Sequence, residues 1–357
     1  MHQENIEILI IGGGIAGLST AWHLAEAGQR GVLLVEREDL PGFYASGHNA
    51  GIARQLTGRP GHTALAIQGR ERLARAGLLL PPGGGYLLGA EPGGTRALGE
   101  EARAFGLAFR EGAGSPLPGM AAVEWLGLGG DGIIDIHAQL RHCARRARAA
   151  GARLRFGCRA LGIQPAGEGF RVDTDLGPVR ARILVNAAGA WAGEVGRMAG
   201  GLDLDLRPLR RHLAWSSAPC PPDQPWAWWA DRPLYLRPES GGTLLCPCDE
   251  SLVDLPPRGR QPVHDPAVLE ALAGSVQERV PALEDAQVAR LWCGLRTFAP
   301  DRGFVLGPDP RNPSLHWVAG LGGHGMTSGL AVGHLAAQSI LGKNSTGTLD
   351  PGRFWQH

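Results

Sequence analysis

The stretch that decides the fold is Ile6-Glu7-Ile8-Leu9-Ile10-Ile11-Gly12-Gly13-Gly14-Ile15-Ala16-Gly17. An apolar strand pattern runs into Gly-x-Gly-x-x-Gly, a helix pattern follows, and a second apolar strand over residues 31–35 ends at Glu36. The first glycine of the motif allows a tight turn, the second lets backbone N–H groups approach a pyrophosphate, and the third permits close helix–strand packing. Glu36 is placed to accept hydrogen bonds from both ribose hydroxyls, and an acid there disfavours a 2′-phosphate. The stretch therefore predicts a site for NAD or FAD rather than NADP.

Composition and charge limit the class of protein. The chain has 357 residues, of which 43% are hydrophobic and 19% charged, enough for two domains and a large core. Its net charge of +1 provides no basic field for nucleic acid. The apolar runs are too short to cross a bilayer, and the first strand begins without a signal peptide before it. The six cysteines show neither CxxC nor metal-ligand spacing. We therefore expect a cytoplasmic protein, free or peripheral to a membrane, with reduced thiols and no metal.

Further along the chain, helix and strand patterns alternate. We predict helices over residues 60–76, 95–105, 137–150, 266–279 and 327–341, and strands over 153–156, 169–174 and 179–185. The last strand runs into Asn186-Ala187-Ala188-Gly189-Ala190-Trp191, where small residues let the backbone lie against a flat ligand. The nucleotide fold thus returns after a long insertion. A strand-rich segment follows over 206–248, whose tryptophans we expect to pack on a sheet, a cavity floor being the alternative.

These segments together resemble the D-amino acid oxidase superfamily of FAD-dependent oxidoreductases, above all D-amino acid dehydrogenases of the D-arginine dehydrogenase type. The resemblance covers nearly the whole chain and rests on the order and spacing of residues 12–17, 35–38, 185–191, 294–298 with Pro300-Asp301, and 322–326. It implies an α/β fold, a Rossmann-like FAD-binding domain with an inserted antiparallel-sheet substrate domain, as in D-amino acid oxidase and glutathione reductase. The expected FAD-binding domain comprises residues 1–78, 137–205 and 294–350, the substrate domain 79–136 and 206–293, and the C-terminal tail 351–357.

The resemblance implies non-covalent FAD and assigns its binding positions. The first turn and Glu36 would bind the ADP half. The loop before residue 52 and the turn that opens the last helix would contact the flavin. The positive end of that helix would stabilise negative charge on reduced flavin. The implied positions are Gly12, Gly14, Ile15, Ala16, Gly17, Glu36, Arg37, Ser46, Asn49, Ala50, Gly51, Ala160, Ala188, Gly189, Trp191, Gly294, Gly322, Gly323, Gly325, Met326 and Thr327.

On the substrate side, the resemblance places Arg296, Arg211 and Tyr235 at the substrate carboxylate. A planar guanidinium meets a carboxylate in a two-pronged fork, which fixes angle as well as distance. The competing interpretations are a salt-bridged arginine at a domain junction and a buried strand tyrosine, and the match at Arg211 could slip by one residue. His48 and His324 fall near the expected flavin. Either could act as a general base, although we favour hydrogen bonds to flavin or backbone.

Three departures from the D-arginine enzymes bear on the substrate. Those enzymes carry a carboxylate for the substrate guanidinium where this chain has Gly85, just before Tyr86. They carry a His and a Tyr where this chain has Ile52 and Thr57, with Arg54 between them. Arg54 has two interpretations of equal weight: its charge lies at the substrate, or it is a solvated charge of the loop. A cationic D-amino acid is therefore disfavoured.

The expected function is FAD-dependent oxidation at the α-carbon amine of a small, non-cationic amino acid, either a D-amino acid or a glycine-like one. Hydride transfer to flavin N5 would leave an imine that hydrolyses to a keto acid. One alternative is a 2-hydroxy acid dehydrogenase acting on a 2-hydroxyglutarate-like substrate, which requires a histidine base. Another is a flavin-binding subunit of a larger complex. The expected partners are a small carboxylate substrate and an acceptor, oxygen or a quinone, without nucleic acid; a homo-oligomer is compatible.

Overall fold

The computed structural model of the chain describes residues 3–81 and 83–355. Residues 1 and 2 of the predicted FAD-binding domain, residue 82 of the predicted substrate domain and residues 356 and 357 of the predicted tail lie outside the described residues. Within the described ranges, no helix combines the length and apolar character needed to cross a membrane.

The described residues form seven α-helices and twenty strands. The helices are α1 (Ile15–Glu26), α2 (Pro60–Arg75), α3 (Arg96–Ala104), α4 (Ile136–Ala149), α5 (Ala192–Met198), α6 (Val268–Arg279) and α7 (Gly325–Ile340). The strands are β1 (Glu4–Ile11), β2 (Val32–Val35), β3 (Ile52–Ala53), β4 (Leu79–Leu80), β5 (Gly85–Gly89), β6 (Arg110–Ala113), β7 (Glu124–Leu128), β8 (Gly132–Ile134), β9 (Arg153–Arg155), β10 (Ala160–Ala166), β11 (Gly169–Thr174), β12 (Gly177–Asn186), β13 (Arg207–Ser216), β14 (Trp226–Trp229), β15 (Leu234–Glu239), β16 (Gly242–Cys246), β17 (Ser251–Leu252), β18 (Val288–Phe298), β19 (Val305–Pro308) and β20 (Leu315–Ala319).

The first sheet has eight strands and a parallel centre. Its order is β10-β11-β12-β1-β2-β9, and β20 pairs with β12 and β19. The pairs β12–β1, β1–β2 and β2–β9 are parallel, whereas the pairs β10–β11 and β11–β12 are antiparallel. Ile8 and Ile10 of β1 pack into one apolar cluster with α1 and α7, and Leu9 and Ile11 pack into a second cluster on the other face. Because both faces of the sheet are covered, the sequences of these strands are continuous apolar runs.

Two glycines make the first turn possible. Gly12 has φ +115°, and a Cβ there would lie 2.2 Å from the carbonyl oxygen of Ala187. A Cβ at Gly17 would lie 2.0 Å from the carbonyl oxygen of Gly12. A side chain at either position would force β1, β12 and α1 apart, so the glycine motif is a packing requirement as well as a ligand motif.

The second sheet has nine strands in the order β17-β13-β16-β15-β14-β5-β7-β6, with β18 paired to β13. Its pairs are antiparallel except for β14 with β5, which is parallel and departs from the all-antiparallel expectation. A small sheet, β3-β8-β4, joins the loop after residue 51 to Ile133 and Ile134. The arrangement confirms the predicted pair of a parallel nucleotide sheet and a largely antiparallel second sheet.

The five helices predicted over residues 60–341 are confirmed, each with both ends within two residues of the prediction. Strand β10 and helix α5 are among the elements that were not predicted. Strand β10 contains Gly162 and Pro165 and has a register shift near Ala160, so its sequence lacks the pattern of a strand. Helix α5 is seven residues long, too short for a clear helical period. The boundaries of the two predicted domains stay a prediction.

Candidate functional site

A long cleft runs along the carboxyl ends of the first sheet to the face of the second sheet. Its empty volume is about 1570 Å³, counting the part open to solvent. Glu36, Ala160 and Trp191 line one end, and Tyr235 and Arg296 line the other. This is the edge of a parallel sheet at which α/β proteins bind nucleotides.

The Glu36 end is built for hydroxyl groups. One carboxylate oxygen of Glu36 accepts a hydrogen bond from the Gly13 N–H at 2.6 Å, and the other accepts from the Glu38 N–H at 2.9 Å. Burial raises the pKa of Glu36, and these two hydrogen bonds oppose the rise. A carboxylate has about four acceptor positions, so the remaining lone pairs are available to ribose hydroxyls.

The middle of the cleft exposes bare backbone. A Cβ at Gly14 would meet only Ser46 Oγ, at 3.3 Å, and a Cβ at Gly189 would meet nothing within 4 Å. Both residues line the cleft, so any side chain there would fill it. The Ile15 N–H at the start of α1 donates to Ser46 Oγ at 3.1 Å, which leaves the first turn of α1 open to a diphosphate beside the serine.

A stacked cluster closes one wall of the cleft. The Arg37 guanidinium lies 3.8 Å above the Trp191 ring and 4.8 Å from the Tyr44 ring, and it donates to the Tyr44 hydroxyl. That hydroxyl donates to Glu38 Oε1 at 2.5 Å. Burial and the neighbouring Glu38 raise the pKa of Tyr44 to about 12. The sequence analysis missed Tyr44 and Glu38, since nothing in the local pattern distinguishes them from a solvated loop.

Most of the predicted cofactor positions lie along this cleft. They are Gly12, Gly14, Ile15, Ala16, Glu36, Arg37, Ser46, Asn49, Ala160, Ala188, Gly189, Trp191, Gly294, Gly322, Gly323, Gly325 and Met326. Gly17 instead packs α1 onto β1, whereas Ala50, Gly51 and Thr327 line an adjoining cavity. An acid at one end and bare backbone beside a helix N-terminus fit the ADP half of FAD, and the cleft continues beyond them to Arg296, so these residues would hold its ADP half and its flavin.

The adjoining cavity has an empty volume of about 1250 Å³, again counting its open part. It shares Arg211, Tyr235 and Arg296 with the cleft. A substrate in this cavity therefore lies against whatever occupies the far end of the cleft.

One face of the second sheet carries the groups predicted to bind a carboxylate. In the register of β13 with β18, Arg211 lies opposite Gly294 and Leu209 lies opposite Arg296, so both arginines project from the same face. Tyr235 on β15 lies 1% exposed, and its ring centroid is 4.6 Å from that of Trp228. Arg210 points to the other face, where it donates to Ser251 Oγ at 3.2 Å. The one-residue slip considered above is therefore not what the structure shows.

The two arginines differ in their partners. Arg211 Nη2 donates to Glu250 Oε1 at 2.8 Å, while its buried Nε has no hydrogen-bond partner within the described ranges. Arg296 makes no ion pair with any described residue. Burial and the charge of Arg211 lower the pKa of Arg296, and burial raises the pKa of Tyr235 well above its usual value. A cationic guanidinium that no described carboxylate pairs with, at the junction of cleft and cavity, can take a substrate carboxylate.

The two predicted histidines lie in different places. His48 lines the cleft, and His324, just before α7, lines the cavity. Burial lowers the pKa of both, and the charges of Arg54 and Arg296 lower that of His324 further. Both imidazoles are therefore neutral at pH 7. His62, which the sequence analysis missed, also lines the cavity and lies 6.3 Å from His324 between ring centroids.

The other substrate-side candidates separate into two groups. Arg54 lines the cavity, with its guanidinium 4.0 Å from the Trp228 ring. Gly85 and Tyr86 line neither of the two cavities described. A Cβ at Gly85 would lie 2.0 Å from the Trp226 ring, which fills the space that a longer side chain would need. Tyr86 points to the other face of β5 and packs on Trp125.

Glu250 and Trp228 are among the other cavity residues that the sequence analysis did not assign to the site. Glu250 follows β16 in an irregular loop, where no periodic pattern marks it. Trp228 was expected to pack on the sheet. That expectation is correct for the fully buried Trp226 and Trp229, but Trp228 lines the cavity beneath Arg54.

Comparison with known proteins identifies the family. Residues 7–339 match the family model DAO, described as FAD dependent oxidoreductase. The chain is 26% identical to glycine oxidase from Bacillus licheniformis, over 95% of this chain and 94% of that protein. It is 28% identical to mitochondrial dimethylglycine dehydrogenase from Mus musculus, over 95% of this chain but only 43% of that protein. The crystal structure of L-proline dehydrogenase from P. horikoshii shares the fold, with a TM-score of 0.84 and 22% identity over 99% of this chain and 98% of that one.

The family match spans the nucleotide cradle, both sheets and the last helix. It agrees with the fit of the cleft to an adenine dinucleotide, and it decides between the two candidates that the first strand and turn left open, NAD and FAD. The chain belongs to the DAO family of FAD-dependent oxidoreductases, and its cofactor is FAD.

Proposed function

We propose that this chain oxidises the α-carbon amine of a small, non-cationic amino acid, either a D-amino acid or a glycine-like one. The observation that carries the proposal is the Arg296 guanidinium, which forms no ion pair with a described carboxylate and lies where cleft and cavity meet. When bound there, FAD supplies the two-electron acceptor for the hydride of the α-carbon. The product is an imine, which water converts to a keto acid and ammonia.

The chain's own residues bind and orient the substrate. Arg296 and the free edge of Arg211 project from one sheet face, so together they bind the α-carboxylate in a defined plane. Tyr235 closes the same wall. A carboxylate held in this way keeps the α-carbon at the far end of the cleft, and such orientation contributes much of the rate enhancement in reactions that need little acid–base help.

The cavity's charge argues against a cationic substrate. Glu250 is the one carboxylate among the described residues that line it, and Arg211 and Arg302 both bind it. An ammonium or guanidinium on the substrate side chain would therefore meet arginines without a free anion. We therefore use the resemblance to D-arginine dehydrogenases only to propose the carboxylate-binding residues. We do not use it to propose the side chain of the substrate.

The relatives support an amine as the reacting group. Glycine oxidase, dimethylglycine dehydrogenase and L-proline dehydrogenase are all named for α-amino acids, with primary, tertiary and cyclic secondary amines. We propose oxygen or a quinone as the final acceptor, a cytoplasmic location and the domain boundaries given above.

A second candidate is oxidation of a 2-hydroxy acid, because His324 lies in the cavity with a neutral imidazole. An alcohol must lose its hydroxyl proton, so this reaction needs such a base.

Anaerobic flavin bleaching tests both candidates. The purified holoenzyme is mixed without oxygen with glycine, N-methylated glycines, D- and L-amino acids and 2-hydroxy acids, and the flavin absorbance is followed. We expect amino acids to bleach the flavin. Bleaching by 2-hydroxy acids alone, abolished in His324→Gln with flavin retained, would transfer the assignment to the second candidate.

A further inference from the structure

A positive charge without a counter-ion lines the substrate cavity away from the carboxylate-binding arginines. Arg54 follows β3, and its guanidinium lies 4.0 Å from the ring of Trp228, the same ring that packs on Tyr235. The Nε of Arg54 is buried and has no hydrogen-bond partner among the described residues, and the side chain makes no ion pair there. Stacking on Trp228 holds the plane of the guanidinium in place with its N–H edge unused.

The charges around the cavity do not balance. The described residues that line it include one carboxylate, Glu250, and five arginines: Arg54, Arg59, Arg211, Arg296 and Arg302. Glu250 binds Arg302 through both oxygens, at 2.9 and 2.7 Å, and Arg211 through one, at 2.8 Å. Arg59 is exposed at the rim. Arg54 and Arg296 therefore remain as two guanidinium groups of the cavity that form no ion pair with a described carboxylate.

The nearby acid Asp131 does not supply the missing charge. Its Oδ1 accepts from the backbone and side-chain N–H groups of Gln55, at 3.1 and 2.9 Å, and it forms no ion pair with Arg54. Burial raises the pKa of Asp131 to about 7, while the Gln55 hydrogen bonds and the charges of Arg54 and Arg70 oppose the rise. Burial lowers the pKa of Arg54 to about 10, which still leaves it protonated. A half-buried cation whose Nε is unpaired and that forms no ion pair favours an anionic ligand in the cavity that it lines.

We propose that the substrate is an acidic amino acid, whose side-chain carboxylate binds Arg54 while its α-carboxylate binds Arg296 and Arg211. The inference rests on the proposed function and narrows its substrate class. Two carboxylates would neutralise the two unpaired guanidinium groups of the cavity, and Trp228 would orient the second of them.

Isosteric pairs of substrates test the inference. For each enantiomer, aspartate is compared with asparagine and glutamate with glutamine, by anaerobic flavin reduction in the holoenzyme. We expect kcat/KM for the preferred acid to exceed that of its amide by on the order of 100-fold, because a charge-assisted hydrogen bond in a desolvated site contributes that much. Arg54→Met should remove most of this ratio, and Arg54→Lys should retain part of it. Arg110→Met, which removes one exposed charge from β6, should leave the ratio unchanged.

A binding measurement separates failure of the inference from failure of the proposed function. Succinate and butyrate have similar length but differ by one carboxylate, and their affinities for the holoenzyme are measured by calorimetry. We expect succinate to bind more tightly to wild type, and Arg54→Met to lose that preference. Equal binding in wild type overturns the inference, whatever the activity. If the amides react as fast as the acids, the inference is overturned while the proposed function stands. If the protein prefers succinate but turns over no amino acid, Arg54 is supported as an anion site and the proposed function is overturned.

Discussion

At the scale of single residues, Arg296 decides whether the cavity can hold a carboxylate. Its neighbour across the strand pair, Arg211, is already bound to Glu250. Arg296 is therefore the arginine at the junction whose guanidinium no described carboxylate occupies. Its guanidinium also lies against Gly323, where a Cβ would be 2.7 Å from Nη1. The glycine turn before α7 is thus shaped around this arginine as well as around the cofactor.

We predict that Arg296→Met lowers kcat/KM for the amino acid substrate by about 100- to 1000-fold, mainly through a higher KM, because the α-carboxylate loses its two-pronged partner. FAD content, read from the absorbance of the purified variant, should stay near that of wild type. Arg210→Met is the matched control, since Arg210 projects from the opposite sheet face. Equal losses in the two variants would show that position on the sheet, and not contact with substrate, explains the effect.

At the scale of elements, α7 is held against α1 by glycine. A Cβ at Gly333 would lie 2.2 Å from Ser19 Oγ, and one at Gly329 would lie 2.4 Å from the Ile15 side chain. These approaches bring the first turn of α7 to the cleft, where Met326 lines it. Helix packing therefore places the end of the cofactor site.

We predict opposite outcomes for two glycine-to-alanine changes within helices. Gly333→Ala should lower the free energy of unfolding by about 1–3 kcal/mol, because the methyl group overpacks the α1–α7 contact. Gly274→Ala in the exposed face of α6, where a Cβ would meet nothing within 4 Å, should raise it by up to about 1 kcal/mol. Urea denaturation of the FAD-bound protein measures both. A stabilising Gly333→Ala would contradict the close packing described.

At the scale of the whole molecule, three buried histidines link stability to pH. His23 in α1, His62 in α2 and His316 in β20 are each less than a tenth exposed. Burial lowers the pKa of each to about 4. In the unfolded chain each has a pKa near 6.5, so between about pH 6.5 and 4 the unfolded state binds more protons than the folded state. Stability from these groups is present above that window and is lost as the pH falls through it.

We therefore predict that the contribution of these histidines to the free energy of unfolding is complete above about pH 7 and falls below it, by up to about 1.4 kcal/mol per pH unit for each histidine, while the raised pKa of Asp131 opposes one of them over the same window. Urea denaturation at several pH values measures the slope. His316→Phe should reduce that slope, whereas His264→Phe, at an exposed position, should not. The same slope in all three proteins would exclude the buried histidine as its source.

The parts that could be predicted from sequence are local in the chain. Gly12, Gly14 and Glu36 lie within one strand–turn–helix–strand unit, and each helix predicted from its period was found. The separation of Arg211 from Arg210 also follows from alternation along β13, because residues two apart share a face of the sheet. Strand β10 was missed because Gly162 and Pro165 hide its pattern.

The sequence by itself determined the nucleotide cradle, since turn geometry, helix N-terminus and acid are all fixed by short-range spacing. It left Arg54 undecided, favoured sheet packing over a cavity wall for Trp228, and passed over Glu250. Only the tertiary structure decided their place, because these three come from a loop after β3, a loop after β16 and the strand β14, which meet across one sheet face. Which charges in that cavity are neutralised depends on distances between segments far apart in the chain, and local spacing carries no information about those distances.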